Sequence, residues 1–152
     1  MKKLFALILT VALLATMSVP AFAANTAGGD ADITTSIAPT YTVTIPADVN
    51  VAFNATETDF GVIEVTASQI HPDKCIKVAL ATDNELNNAI DNTKVIPYAI
   101  KDSQGAEFTS ATYLTEGDKT ELSIHITADD WNAAYAGDYS DTVTFTVSYE
   151  DK

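Results

Sequence analysis

Few side chains in this sequence have the chemistry to make or break bonds, and they do not cluster. It holds two histidines, His71 and His125, one cysteine, Cys75, and no arginine. A structural or catalytic zinc needs three or four closely spaced ligands, and a nucleophilic triad needs a base beside its nucleophile. These three residues spell neither, so no catalytic residue, metal or cofactor is expected. The acidic pairs Asp129 with Asp130 and Asp138 with Asp141 carry the hard oxygen ligands that calcium prefers. No spaced calcium loop surrounds them, and they read as a solvated acidic end. The side chains with the richest binding chemistry are Trp131, Tyr135 and Tyr139. They read in two ways: Trp131 as an apolar plug at the end of the core, or the three together as a ligand platform on which a sugar stacks.

The elements that must position these residues are strands. From Tyr139 onward the odd positions are Tyr139, Asp141, Val143, Phe145, Val147 and Tyr149, and the even ones are serine and threonine. Because strand side chains alternate between faces, this spells one apolar and one hydroxyl face: a half-buried antiparallel strand running from 139 to 149. Val143, Phe145 and Val147 are expected in the core, with Thr142, Thr144 and Thr146 outside. Tyr139, opening that strand, also has the look of a tyrosine corner, whose hydroxyl bonds back to the preceding arch.

Further strands are expected at 41–45, at 49–53 by continuation of the same period, at 60–67 and at 74–81. Residues 82–88 read as a polar connection. Then come 94–101, confined to an edge by Pro97, a return strand over 106–114, and a clean alternation at Leu122, Ile124 and Ile126. That last pattern turns His125 toward solvent. One helical turn interrupts the strands at 127–135, with Thr127 as cap, Asp129 and Asp130 in the first turn, and a glycine stop at Gly137. The architecture expected is all-β, an immunoglobulin-like antiparallel β-sandwich of about seven to eight strands with one short helical turn.

Within that frame Cys75 lies opposite Ile76, Val78 and Leu80 on its strand and reads first as a partly exposed or edge thiol. The other readings are an intermolecular disulfide, a buried small hydrophobe and a nucleophile beside His71. No internal disulfide can form from one cysteine.

Residues 1–23 have the order of an export signal: Lys2 and Lys3, an apolar run from Leu4 to Met17, and Ala21-Phe22-Ala23 as a small-x-small cleavage site. The mature chain is expected to begin at Ala24, with a flexible leader over 24–38 and one sandwich domain over 39–152. No membrane anchor is expected in the mature form. All 21 acidic residues lie beyond residue 23, and two of the 8 lysines lie before it, leaving a net charge of −15 on the mature chain. Phosphate backbones and anionic membranes repel such a surface, which argues against nucleic-acid partners.

The run Tyr139-Ser-Asp-Thr-Val-Thr-Phe145-Thr-Val147-Ser148, and the strand, proline and Phe60-Gly61 pair over 41–61, resemble WxL-type surface domains of Gram-positive bacteria. Phe145 stands where those domains have Trp, and Val147 where they have Leu. The phrase from Ala136 to Val143 is also similar to the last strand of spore-coat-U-like and pilin-like secreted domains. These resemblances imply an exported, non-enzymatic surface or adhesion module that binds cell-wall polymer or a protein partner. The second implies that a strand can be taken from a neighbour. A glycan-binding module using the aromatic platform is the alternative. Eight strands suffice to close the sandwich internally, so a monomer is expected, with a strand-exchange oligomer as the other outcome.

Overall fold

The computed structural model of the chain describes residues 8–12 and 32–152. The basic start, the cleavage site and the mature start at Ala24 lie outside the described residues, as does the leader up to residue 31. Eleven strands and one helix follow in order. They are β1 (Ile8–Ala12), β2 (Thr40–Thr44), β3 (Glu57–Gln69), β4 (Lys74–Ala81), β5 (Glu85–Asn88), β6 (Val95–Pro97), β7 (Ala99–Asp102), β8 (Ser110–Tyr113), β9 (Lys119–His125), α1 (Ala128–Ala133), β10 (Tyr139–Ser140) and β11 (Thr144–Asp151). No described helix is long and apolar enough to cross a membrane.

All ladders are antiparallel, and the fold is an all-β sandwich. One sheet has the order β1-β2-β3-β9-β7; the others are β11-β4-β8 and β10-β5-β6. The two smaller sheets continue one another along the chain. β5 resumes the course of β4 after residues 82–84, and β11 resumes that of β10 after residues 141–143, so one long antiparallel pair is interrupted once on each strand. β6 and β7 are likewise one run that changes sheets at Tyr98.

Between the layers lies the core that the alternation demands. Leu122, Ile124 and Ile126 point in, as do Ile63 and Val65 of β3, and they meet Ile76 and Val78 of β4 with Ile96, Ile100 and Tyr113. β3 bends where its register shifts between Asp59 and Gly61. Gly61 has φ +118°, and a Cβ there would lie 3.4 Å from that of Pro46. The glycine lets the chain leaving β2 lie flat against the bulge.

Several expectations need correction. The strand expected over 139–149 is two pieces, because residues 141–143 leave the ladder and Asp141 turns toward Tyr98. Val143, Phe145 and Val147 do face the core, but each is only half-buried: Val143 lies in the interruption, and Phe145 and Val147 lie on β11, an edge strand. Residues 49–53 form no strand; their alternation has no partner to pair with. The polar stretch 82–88 contains strand β5, which carries its one apolar residue, Leu86, toward the core. The return over 106–114 touches β7 by a single bridge at Glu107 and then crosses to the opposite sheet as β8. Cys75 is buried, not a partly exposed thiol: β11 covers it, and its Sγ lies 3.7 Å from the carbonyls of Glu150 and Asp151. Pro97 sits on β6, the edge of its sheet, as its missing donor requires.

Candidate functional site

Where the long pair is interrupted, the sandwich opens into a cleft of about 900 Å³. Its walls are two irregular segments, the loop after β2 on one side and residues 137–143 on the other. The floor is apolar, with Phe60, Leu86, Ile96, Ile124 and Phe145. Phe60 and Phe145 meet across the gap between the two sheets, ring centroids 6.0 Å apart.

The loop wall is shaped by a tight turn in which the Ala55 N–H donates to the Ala52 carbonyl at 3.0 Å. Asn54 takes φ +64°, a left-handed conformation that asparagine tolerates better than most residues. This turn lifts Phe53, which is 79% exposed, and packs it T-shaped with Trp131, ring centroids 5.6 Å apart and planes at 78°. The helix supplies the other half of the contact. Thr127 caps it, accepting the Asp130 N–H at 3.1 Å, so that Trp131 projects from the single turn toward the loop. The Trp131 indole N–H then donates to the Ala55 carbonyl at 2.8 Å, tying helix to loop.

On the opposite wall, the Tyr139 hydroxyl donates to the Tyr135 carbonyl at 2.9 Å. That is the back-bonded tyrosine expected of the arch. Gly137, with φ +149°, brings the arch against Asn88, the buried polar side chain of the core, whose Oδ1 accepts from the N–H groups of Ile90 and Asp91. Asp141 marks the interruption itself: its carboxylate accepts from Thr82 at 3.0 Å and from Tyr98 in a short hydrogen bond. Burial, and then the neighbouring carboxylate, push the Tyr98 hydroxyl well above the ordinary tyrosine range.

The charge of the cleft is one-sided. Asp48, Asp138 and Asp141 line it, and none of its described lining residues is basic.

The three platform residues are brought to this end of the molecule in different roles. Trp131 is half-buried against the core and walls the cleft; Tyr139 lines it; Tyr135 lies outside it, 63% exposed, with the Lys94 ammonium 5.0 Å from its ring centroid. The ring stack of the described chain lies elsewhere, Tyr41 on Tyr149 at 5.8 Å. Phe53, Phe60 and Phe145 join the site although the sequence pattern did not single them out for it. The signal available was Pro46, which ends β2, together with Asn54 directly after Phe53, a turn former where a strand was expected. His71 lies in a separate shallow depression with Ile37 and Pro39, and His125 bonds Ser123 at 2.9 Å on the outer face of β9. Asp129 and Asp130 are the first-turn acids of α1.

No protein-family model matches this chain, and no curated protein matches it in sequence.

Proposed function

We propose that this is an exported, non-enzymatic surface module of the adhesion type, and that the cleft is where it holds cell-wall polymer or a protein partner. The observation that carries the reading is the cleft's make-up: an aromatic and aliphatic floor, aromatic walls and an acidic rim. Such a surface gains from covering apolar area and from attracting amines or basic side chains, which is recognition chemistry. The cysteine and both histidines lie outside the cleft, with Cys75 buried under β11.

Purified cell walls and a panel of basic and neutral surface proteins, offered to the mature protein, test this directly. Phe53→Ala with Asp48→Asn should weaken retention by about tenfold or more, while the exposed Ile90→Ala should not. Equal retention of the two variants overturns the cleft as the docking site.

A second reading, a glycan-binding module, is favoured by the exposure of Phe53 and Tyr135 beside Trp131. Competition separates the two. Release of the bound protein by soluble neutral oligosaccharide, unaffected by salt, supports the glycan reading. Release by salt supports a charged polymer or a protein partner.

A further inference from the structure

The first sheet is completed by a strand that the mature protein is not expected to keep. β1 pairs antiparallel with β2 along its whole length, Ile8 opposite Thr44 through to Ala12 opposite Thr40. Residues 8–12 fall within the stretch read as an export signal. Once it is removed, the outer edge of β2 has no partner from within this ladder. Exposed edges are normally blunted by charge. This one is not: no charged residue occurs between Asp32 and Asp48, in a chain with 21 acidic residues.

A replacement strand is already attached. Residues 32–39 belong to no strand, and they run straight into β2. Within them Ile33, Thr35 and Ile37 alternate with Thr34 and Ser36, a β-branched pattern with one apolar face. Ile33 is 99% exposed and Ile37 62% exposed. The leader cannot fold back on its own β2, because Pro39 and Thr40 leave no turn between them. It can reach the β2 of another copy.

We infer that two mature chains dock through this edge, each laying its leader antiparallel on the other's β2. Face and direction select the register. β2 turns Tyr41 and Val43 toward the core, continued by Ile45, and residues directly opposite on neighbouring strands share a face. Setting Ile37 opposite Tyr41, Thr35 opposite Val43 and Ile33 opposite Ile45 places both isoleucines on the core side of the sheet. A shift of one residue would turn both to solvent. Because leader and β2 are one continuous run, pairing one leader on the partner's β2 forces the reciprocal pairing. The contact is isologous and closes with two copies, with Pro39 opposite its own equivalent at the two-fold axis. Pro39 lacks an N–H, which suits a non-hydrogen-bonded pair.

The expectation of a monomer counted eight strands from within the chain. Residues 49–53 supply none of them, and β1 comes from the segment expected to be removed, which leaves this edge to be covered from outside. The charge of −15 per copy opposes association at long range, so the dimer should tighten as salt rises.

The test uses the exported protein with its N-terminus verified by sequencing, studied by sedimentation over a concentration and salt series. A two-copy species that strengthens with salt is expected. The double change Thr34→Pro and Thr35→Pro lies outside the sandwich, and since successive N–H groups point to opposite sides of a strand, it removes at least one donor aimed at β2. It should weaken the dimer by on the order of 100-fold. Pro39→Cys should form a disulfide-linked dimer far faster than Ile90→Cys on the distant exposed loop, because opposed strand residues lie within disulfide reach. A monomer under all conditions, a dimer indifferent to the leader change, equal crosslinking at the two cysteines, or an open series of higher oligomers would each overturn the inference. Loss of wall or partner binding by the cleft variants leaves this result untouched, so the two proposals fail separately.

Discussion

A Cβ placed on Gly137 would sit 2.5 Å from the side-chain nitrogen of Asn88. That distance fixes the arch that carries Tyr139 and walls the cleft, because Asn88 is itself pinned by the N–H groups of Ile90 and Asp91. Gly137→Ala therefore meets both a steric clash and a disfavoured φ of +149°. A loss of about 2–3 kcal/mol is expected in chemical denaturation. Gly105→Ala, which meets nothing within 4 Å but keeps a positive φ, should cost roughly 1 kcal/mol.

The half-burial of β11 sets an order among core truncations. Ile76→Ala, fully buried in the middle strand of its sheet, should cost about 3–4 kcal/mol, and Phe145→Ala at the edge about 2 kcal/mol. Thr144→Ala on the outer face should stay within about 0.5 kcal/mol. Equal midpoints for Phe145→Ala and Thr144→Ala would mean that the faces of β11 are reversed.

Much of this was legible beforehand because the signals were local. Leu122, Ile124 and Ile126 alternate without interruption, and β4 occupies the span its apolar positions mark. The helix follows from its cap residue and first-turn acids. What stayed hidden depended on partners distant in sequence. β5 is polar apart from Leu86 because a short strand held on both sides by β10 and β6 needs little apolar surface of its own. The break at Asp141 cannot be read from an alternation that continues through it; it exists because Thr82 and Tyr98 capture the carboxylate. Cys75 is buried by the backbone of a strand about seventy-five residues away. For the site, Trp131 and Tyr139 were visible as aromatics, but Phe53 became a wall only through a turn at Asn54.

The Tyr98 hydroxyl yields a pH dependence with a definite sign. Its acidity in the folded chain is suppressed by burial and by Asp141, so the unfolded chain loses this proton at a lower pH than the folded one does. The stabilisation is complete below the ordinary tyrosine value of about 10 and declines as pH rises beyond it. Tyr98→Phe should cost about 1–2 kcal/mol at neutral pH and should flatten the alkaline decline. An unchanged alkaline slope in the variant would assign the decline to other groups, Tyr113 being the first to examine.

Thiol chemistry checks the burial of Cys75. A neutral aromatic disulfide reagent should modify the native protein at least ~100-fold more slowly than the denatured chain, with a rate that tracks the opening of β11 from β4. Lys74 and Lys77 pair with Asp151 and Glu150 across this same ladder. Both pairs are surface contacts, so removing either should speed modification only a few-fold. Immediate modification of the native protein would show that the end of β11 does not hold.

Trp131 is the only tryptophan of the chain, and its indole lies in the cleft wall with the Ala55 carbonyl on its nitrogen and Phe53 packed T-shaped beside it. The molecule thus carries its own optical probe at the place where a partner would enter. Its emission reports a single environment, without background from other indoles. A shift in colour on adding a candidate partner would locate the event at this wall, and lifting of the loop away from the helix would redden the same signal with no label attached.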